Sequence, residues 1–303
     1  MKNAMKKTRR FVVPLALIIA ALCATPRQSR SQTTDVTLIG ACDIADGLAF
    51  NLSGAFETAA LLDANPTVPV FACGDLAYEN GTDDDFMQAY DATWGRARAR
   101  TIPAPGHHEY TIQNGTGFYN YWGPAAGNST KGYYSLNLGA WHLIILNSNC
   151  AQVGCTAGSA QELWLKNDLA THTQACTLAV WHEPLYTSSA GITPNTAIRP
   201  LWQDLYNANV DLIVNGHAHN YERFAPQDAN GNLDTARGII EIVVGTGGVG
   251  HAPFNTTFAG NSLVQNATTF GVIKLTLHAS SFDWQFIPVA GQTFTDSGTQ
   301  ACH

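Results

Sequence analysis

The sequence predicts an α/β protein, a two-layer mixed β-sandwich flanked by helices, and three observations carry that expectation. Short apolar runs rich in Val, Ile and Leu recur along the chain and end at Gly or a polar residue. Segments with helical spacing of apolar residues separate the earlier runs. Past Gly238 the chain is mainly strands. No internal repeat, low-complexity run or linker divides the sequence, so residues 32–303 are expected to form a single domain.

In chain order, the apolar run at 36–39 ends at Gly40-Ala41-Cys42-Asp43, and a helical stretch at 56–62 follows. A second strand at 68–72 ends at Gly74-Asp75. An amphipathic helix at 83–94 and a short strand near Thr101 then lead into Pro105-Gly106-His107-His108-Glu109. Residues 133–138 and 141–147 alternate as a hairpin around Gly139-Ala140, and 160–170 reads as an amphipathic helix. Strands at 176–181 and 210–214 end at His182 and at Gly216-His217. The clearest later strands are 239–244 and 272–277.

The first residues read as an export signal. Lys2, Lys6, Lys7, Arg9 and Arg10 form a positive cluster before an apolar run at 11–24 that is too short to span a bilayer. Residues 1–31 are expected to be removed and the protein to be secreted or periplasmic. Of seven cysteines, Cys23 lies in this leader; the other six are an even number in an exported chain, which favours disulfides over zinc ligation. Cys150 and Cys155 are close enough to form a loop staple, whereas Cys42 and Cys73 fit buried thiols or a bridge equally. The formal net charge of -7 argues against nucleic acid or an anionic membrane as partner. Nothing in the pattern sets an oligomeric state.

Five segments place oxygen or nitrogen donors just past expected strands: Asp43; Asp75 with Tyr78; His107 and His108; His182; His217 with His219. A lone histidine is more often a hydrogen-bonded or exposed residue than a ligand. Here five of the ten histidines fall at strand ends, in the same positions as the carboxylates. Ligands of open α/β sheets bind at those ends. Two cations about 3.5 to 4 Å apart need a shared anionic ligand and terminal ligands from several directions, which neighbouring strand ends can supply. His142, His172, His251, His278 and His303 lack such a context and read as structural or surface residues.

Asp43, Gly74-Asp75-Leu76-Ala77-Tyr78, Gly106-His107-His108-Glu109, His182 and Gly216-His217-Ala218-His219 resemble, in order, the five signature blocks of the purple acid phosphatases. Tyr78 narrows the resemblance within the wider metallophosphoesterases. Glu183-Pro184-Leu185-Tyr186, Asn220-Tyr221-Glu222-Arg223, Gly245-Thr246-Gly247-Gly248 and Phe270-Gly271 agree with it.

The resemblance implies that Asp43, Asp75, Tyr78 and His219 bind a first metal, Fe(III), and that Asp75 bridges to a divalent ion, Zn, Fe or Mn, held by His182, His217 and His107. The family has Asn where this chain has His107; an imidazole there would push the second site toward Zn(II). His108 matches the histidine that contacts substrate phosphate and would donate a proton to the leaving group. Glu109 is expected to orient His108 or a loop amide. The implied activity is hydrolysis of small phosphate monoesters by a metal-bound hydroxide. A phosphodiesterase on the same centre, or a metal- or phosphate-binding protein without turnover, are the alternatives.

Overall fold

The computed structural model describes residues 1, 35–47, 52–112 and 114–303, so the expected leader lies outside the described residues apart from Met1. Fifteen strands run among them. They begin with β1 (Val36–Ala41), β2 (Ala45–Asp46), β3 (Val70–Cys73), β4 (Ala77–Tyr78) and β5 (Thr101–Ala104). Next come β6 (Tyr134–Leu138), β7 (Trp141–Ile145), β8 (Cys176–Val180), β9 (Leu212–Asn215), β10 (Tyr221–Phe224), β11 (Ile240–Val244) and β12 (Ser262–Asn266). The last are β13 (Gly271–Leu277), β14 (Ser281–Pro288) and β15 (Ser297–Ala301).

Two mixed sheets result, ordered β15-β14-β13-β1-β3-β5 and β12-β10-β11-β9-β8-β7-β6, with β2 and β4 as a small separate pair. Each has a parallel centre: β1, β3 and β5 in the first, β7, β8, β9 and β11 in the second. Antiparallel strands flank both centres. Parallel alignment sends the loops that follow these strands out of one end of their sheet, which is what builds the site.

Strand side chains alternate between faces, and the second sheet divides its apolar residues accordingly. Trp141, Leu143, Ile145, Leu178, Val180, Leu212, Val214, Ile242 and Val244 join the core shared with Leu38, Phe71, Ile273 and Phe286 of the first sheet. Ile144, Ala179, Trp181 and Ile213 point to the other face and are covered by Leu165 of one helix and Leu201, Trp202 and Leu205 of another. Those helices are Ala160–Thr171 and Arg199–Asn207. Ser159 caps the first by accepting from the Glu162 N–H.

Disulfides join Cys42 to Cys73, Cys150 to Cys155 and Cys176 to Cys302. Cys42 and Cys73, open as thiols or a bridge in the sequence, thus tie the ends of β1 and β3. The helix expected at 83–94 is not one α-helix. It starts at Asp83–Asp85 under a capping box from Thr82, widens to a π turn at Phe86–Tyr90, and tightens to 3-10 geometry at Trp94–Arg100. Thr93 Oγ1 bonds back to the carbonyls of Ala89 and Tyr90 at the change of pitch. No helix among the described residues is long and apolar enough to cross a membrane.

Candidate metal centre

Each donor residue follows the carboxyl end of a parallel strand. Asp43 follows β1, Asp75 follows β3 with Tyr78 in β4, His107 and His108 follow β5, His182 follows β8, and His217 and His219 follow β9. Asp43, Asp75 and His217 sit in left-handed backbone with φ of 60°, 51° and 67°. That conformation is uncommon for residues bearing a Cβ and recurs where a site over-determines it. A Cβ on Gly106 would lie 2.2 Å from the Asp75 amide nitrogen, and one on Gly216 would lie 2.2 Å from Cys42 Cβ. Only glycine lets these loops approach so closely.

The donor atoms form two groups around one oxygen. Asp75 Oδ2 lies 2.9 Å from His182 Nε2, 3.0 Å from His107 Nδ1 and 3.3 Å from the Tyr78 hydroxyl. On one side the same hydroxyl is 3.0 Å from Asp43 Oδ1 and 3.2 Å from His219 Nε2. On the other, Asp75, His107, His182 and His217 offer ligand atoms all within 4.8 Å of one another. The seven residues expected as ligands therefore converge, and Asp75 belongs to both groups.

Surrounding hydrogen bonds fix which atoms face inward. The His182 Nδ1–H donates to the Cys73 carbonyl at 3.0 Å, leaving Nε2 toward Asp75. Backbone N–H groups of His108 and His217 donate to Asp75 Oδ1 and Asp43 Oδ2, at 2.9 and 2.8 Å, so the opposite carboxylate oxygens face the crevice. Glu109 accepts from the N–H groups of Asp75, Leu76 and Gly106 at 3.0, 2.8 and 2.6 Å, locking the β3 and β5 loops together. Of its two expected roles, orienting loop amides is the one seen. His217 Nδ1 is buried with no hydrogen-bond partner, an orphan that a cation would satisfy. With two carboxylates, a phenol and four imidazoles, the donor set fits metal ions.

Burial and the charges the donors place on one another set their protonation. Burial would raise the Asp75 carboxyl, but the His182 and His107 imidazoles hold it well below the usual carboxylate range. Burial and the Asp43 and Asp75 carboxylates push the Tyr78 phenol well above its ordinary value. Burial and the neighbouring His182 and His107 bring His217 down to about 3, so its imidazole is neutral above that pH.

Both His107 and His108 face Asp75. His107 is the helical residue that opens the short 3-10 turn His108–Tyr110, and this turn brings the two ring centroids to 4.4 Å. His108 Nδ1 donates to the Glu79 carbonyl at 2.5 Å, and its Nε2 lies 3.9 Å from Asp75 Oδ2. Among the remaining histidines, His251 stacks on Phe270 at 4.1 Å and His278 pairs with Asp35 and Asp283.

A cleft of about 530 Å³ opens beside His107 and His217. Thr111 and Thr193 stand in its wall. The wall formed by Ser148 to Gln152 was not anticipated. Its position just after β7, at the same end of the sheet, was the available signal.

Two sheets with donor-bearing loops gathered at the ends of their parallel strands define a metallophosphoesterase architecture. The chain belongs to the calcineurin-like phosphoesterase family, whose model matches residues 43–221. Its homologues include purple acid phosphatases. Purple acid phosphatase 15 of Arabidopsis thaliana is 27% identical over 238 residues, covering 67% of this chain and 43% of that protein. Probable inactive purple acid phosphatase 24 of the same plant is 28% identical over 248 residues, covering 68% of this chain and 38% of that protein. A purple acid phosphatase from yellow lupin (Lupinus luteus) seeds shares the fold with a TM-score of 0.77 at 22% identity, over 89% of this chain and 54% of that one. The chain thus spans less than half the length of these two Arabidopsis relatives.

Proposed function

We infer that the chain is an exported, dinuclear metal-dependent phosphatase acting on small phosphate monoesters. The observation that carries this reading is the position of Asp75 Oδ2, 3.3 Å from Tyr78 on one side and 2.9 Å from His182 on the other. Two closely spaced cations require such a shared anionic ligand. Asp43, Asp75, Tyr78 and His219 would hold Fe(III), which suits hard anionic donors. Asp75, His107, His182 and His217 would hold a divalent ion, Zn, Fe or Mn, with the nitrogen-rich set favouring Zn. When bound, the ions supply neutralisation of the phosphate charge and acidification of a water molecule.

The chain's own residues orient and protonate. His108, anchored through Nδ1, presents Nε2 to donate a proton to the departing alcohol oxygen as it gains charge. Glu109 keeps the Asp75 and Gly106 loops in register by binding their N–H groups. Export is supported by the basic and apolar leader and by three disulfides suited to an oxidising compartment; a mature chain with an unprocessed Met1 start would oppose it.

Turnover of a panel of mono- and diesters by the metal-loaded protein tests the reading. Monoesters should give the higher kcat/KM, and a higher value on diesters would overturn the monoesterase assignment. A binding-only reading is favoured by His107 in place of the family's Asn and by the relative named probable inactive. Two bound metals without hydrolysis of any ester would establish it.

A further inference from the structure

We propose that the cleft beside His107 and His217 receives the alcohol part of the ester, and that Glu183 makes it select neutral or cationic alcohols over anionic ones. This deepens the phosphatase reading and rests on it. At about 530 Å³ the cleft is of ligand-binding size. Gln152 and Thr193, both exposed in its wall, offer an amide and a hydroxyl that suit a hydroxylated or amino alcohol. Among the described residues lining it there is no Lys or Arg, and Glu183 brings a carboxylate.

That carboxylate is fixed in the wall. The Glu183 N–H donates to Ser148 Oγ at 3.1 Å. The Asn195 amide donates both to Glu183 Oε2 and to the Ser148 carbonyl, the latter at 3.0 Å. An alcohol carrying a carboxylate or second phosphate would set its charge near Glu183 with no lysine or arginine in the wall to neutralise it. An ammonium group would be attracted instead. The wall therefore works partly by repulsion of the wrong ester.

The test compares O-phosphoethanolamine, glycerol 1-phosphate and 3-phosphoglycerate with the metal-loaded full chain, separating KM from kcat. KM should be lowest for phosphoethanolamine and highest for 3-phosphoglycerate, with a span of about fivefold for a partly exposed charge. Glu183→Gln should narrow that span. Gln152→Lys, at an exposed position in the same wall, should narrow it too and does not depend on the Glu183 network. Equal KM values for the three esters, or a span unchanged in both variants, would overturn this inference alone. No hydrolysis of any ester would overturn the phosphatase reading and this inference with it.

Discussion

Among the described residues, two groups of histidine and aspartate lie close enough to share a cation, yet one of them carries a buried, unpartnered ring nitrogen and the other does not: Asp75, His107, His182 and His217, against His142, Asp168 and His172. In the second group His142 uses both ring nitrogens, Nδ1 on Asn137 Oδ1 at 2.9 Å and Nε2 on Asp168 Oδ2 at 2.7 Å. Ser135 donates to the other Asp168 oxygen at 2.6 Å, and His172 Nδ1 donates to the Asp168 carbonyl at 2.8 Å. Its ring stacks on His142 at 3.8 Å. These hydrogen bonds make the group self-sufficient. In the crevice, His217 Nδ1 has no partner and three groups crowd one Asp75 oxygen. Residue type and closeness do not define a ligand site; unpaired donors facing each other do.

The comparison breaks most sharply at Asp75. Asp75→Asn should abolish stable binding of the metal pair and lower kcat/KM on the order of 10³-fold, the rate equivalent of several kcal/mol of lost stabilisation. Normal metal content and turnover in that variant would remove the shared ligand from the account. His108→Ala should keep both metals and slow turnover about 10²-fold, most for esters with poor leaving groups. Loss of a metal there would make His108 a ligand. Glu109→Gln should weaken metal affinity about tenfold by loosening the two loops it binds, which metal titration would read.

Smaller effects sharpen the contrast from the other side. His107→Asn should restore an oxygen donor and move the second site's preference from Zn(II) toward Mn(II), read by competitive metal binding. His142→Ala should leave metal content unchanged and cost about 1–3 kcal/mol of stability, because a buried Asp168 oxygen loses its partner. Denaturant unfolding alongside elemental analysis checks both halves of that expectation.

The sequence displayed the crevice because its logic is local. Each donor lies within a few residues of an apolar run that already reads as a strand, so Asp43, Asp75, His107, His182 and His217 could be aligned before any fold was known. The helix Arg199–Asn207 was missed although its signal was local: Leu201, Trp202 and Leu205 share one buried face and Pro200 stands in its first turn. The role of Glu109 was half legible for a different reason. Its amide partners at Asp75 and Leu76 are more than thirty residues away. The π turn at Phe86–Tyr90 seats buried Phe86 on Tyr121, ring centroids 4.9 Å apart, a contact between residues distant in sequence that periodicity does not encode.

The most direct test of the two-metal centre is elemental analysis of the purified protein together with its visible spectrum. The expected result is two metal ions per chain, one of them iron, and a broad visible band that disappears in Tyr78→Phe while both the fold and the Asp75-dependent second ion remain. A wild-type protein that, reconstituted with iron and zinc, binds one ion or none, or binds oxidised iron with no such band, would contradict the account.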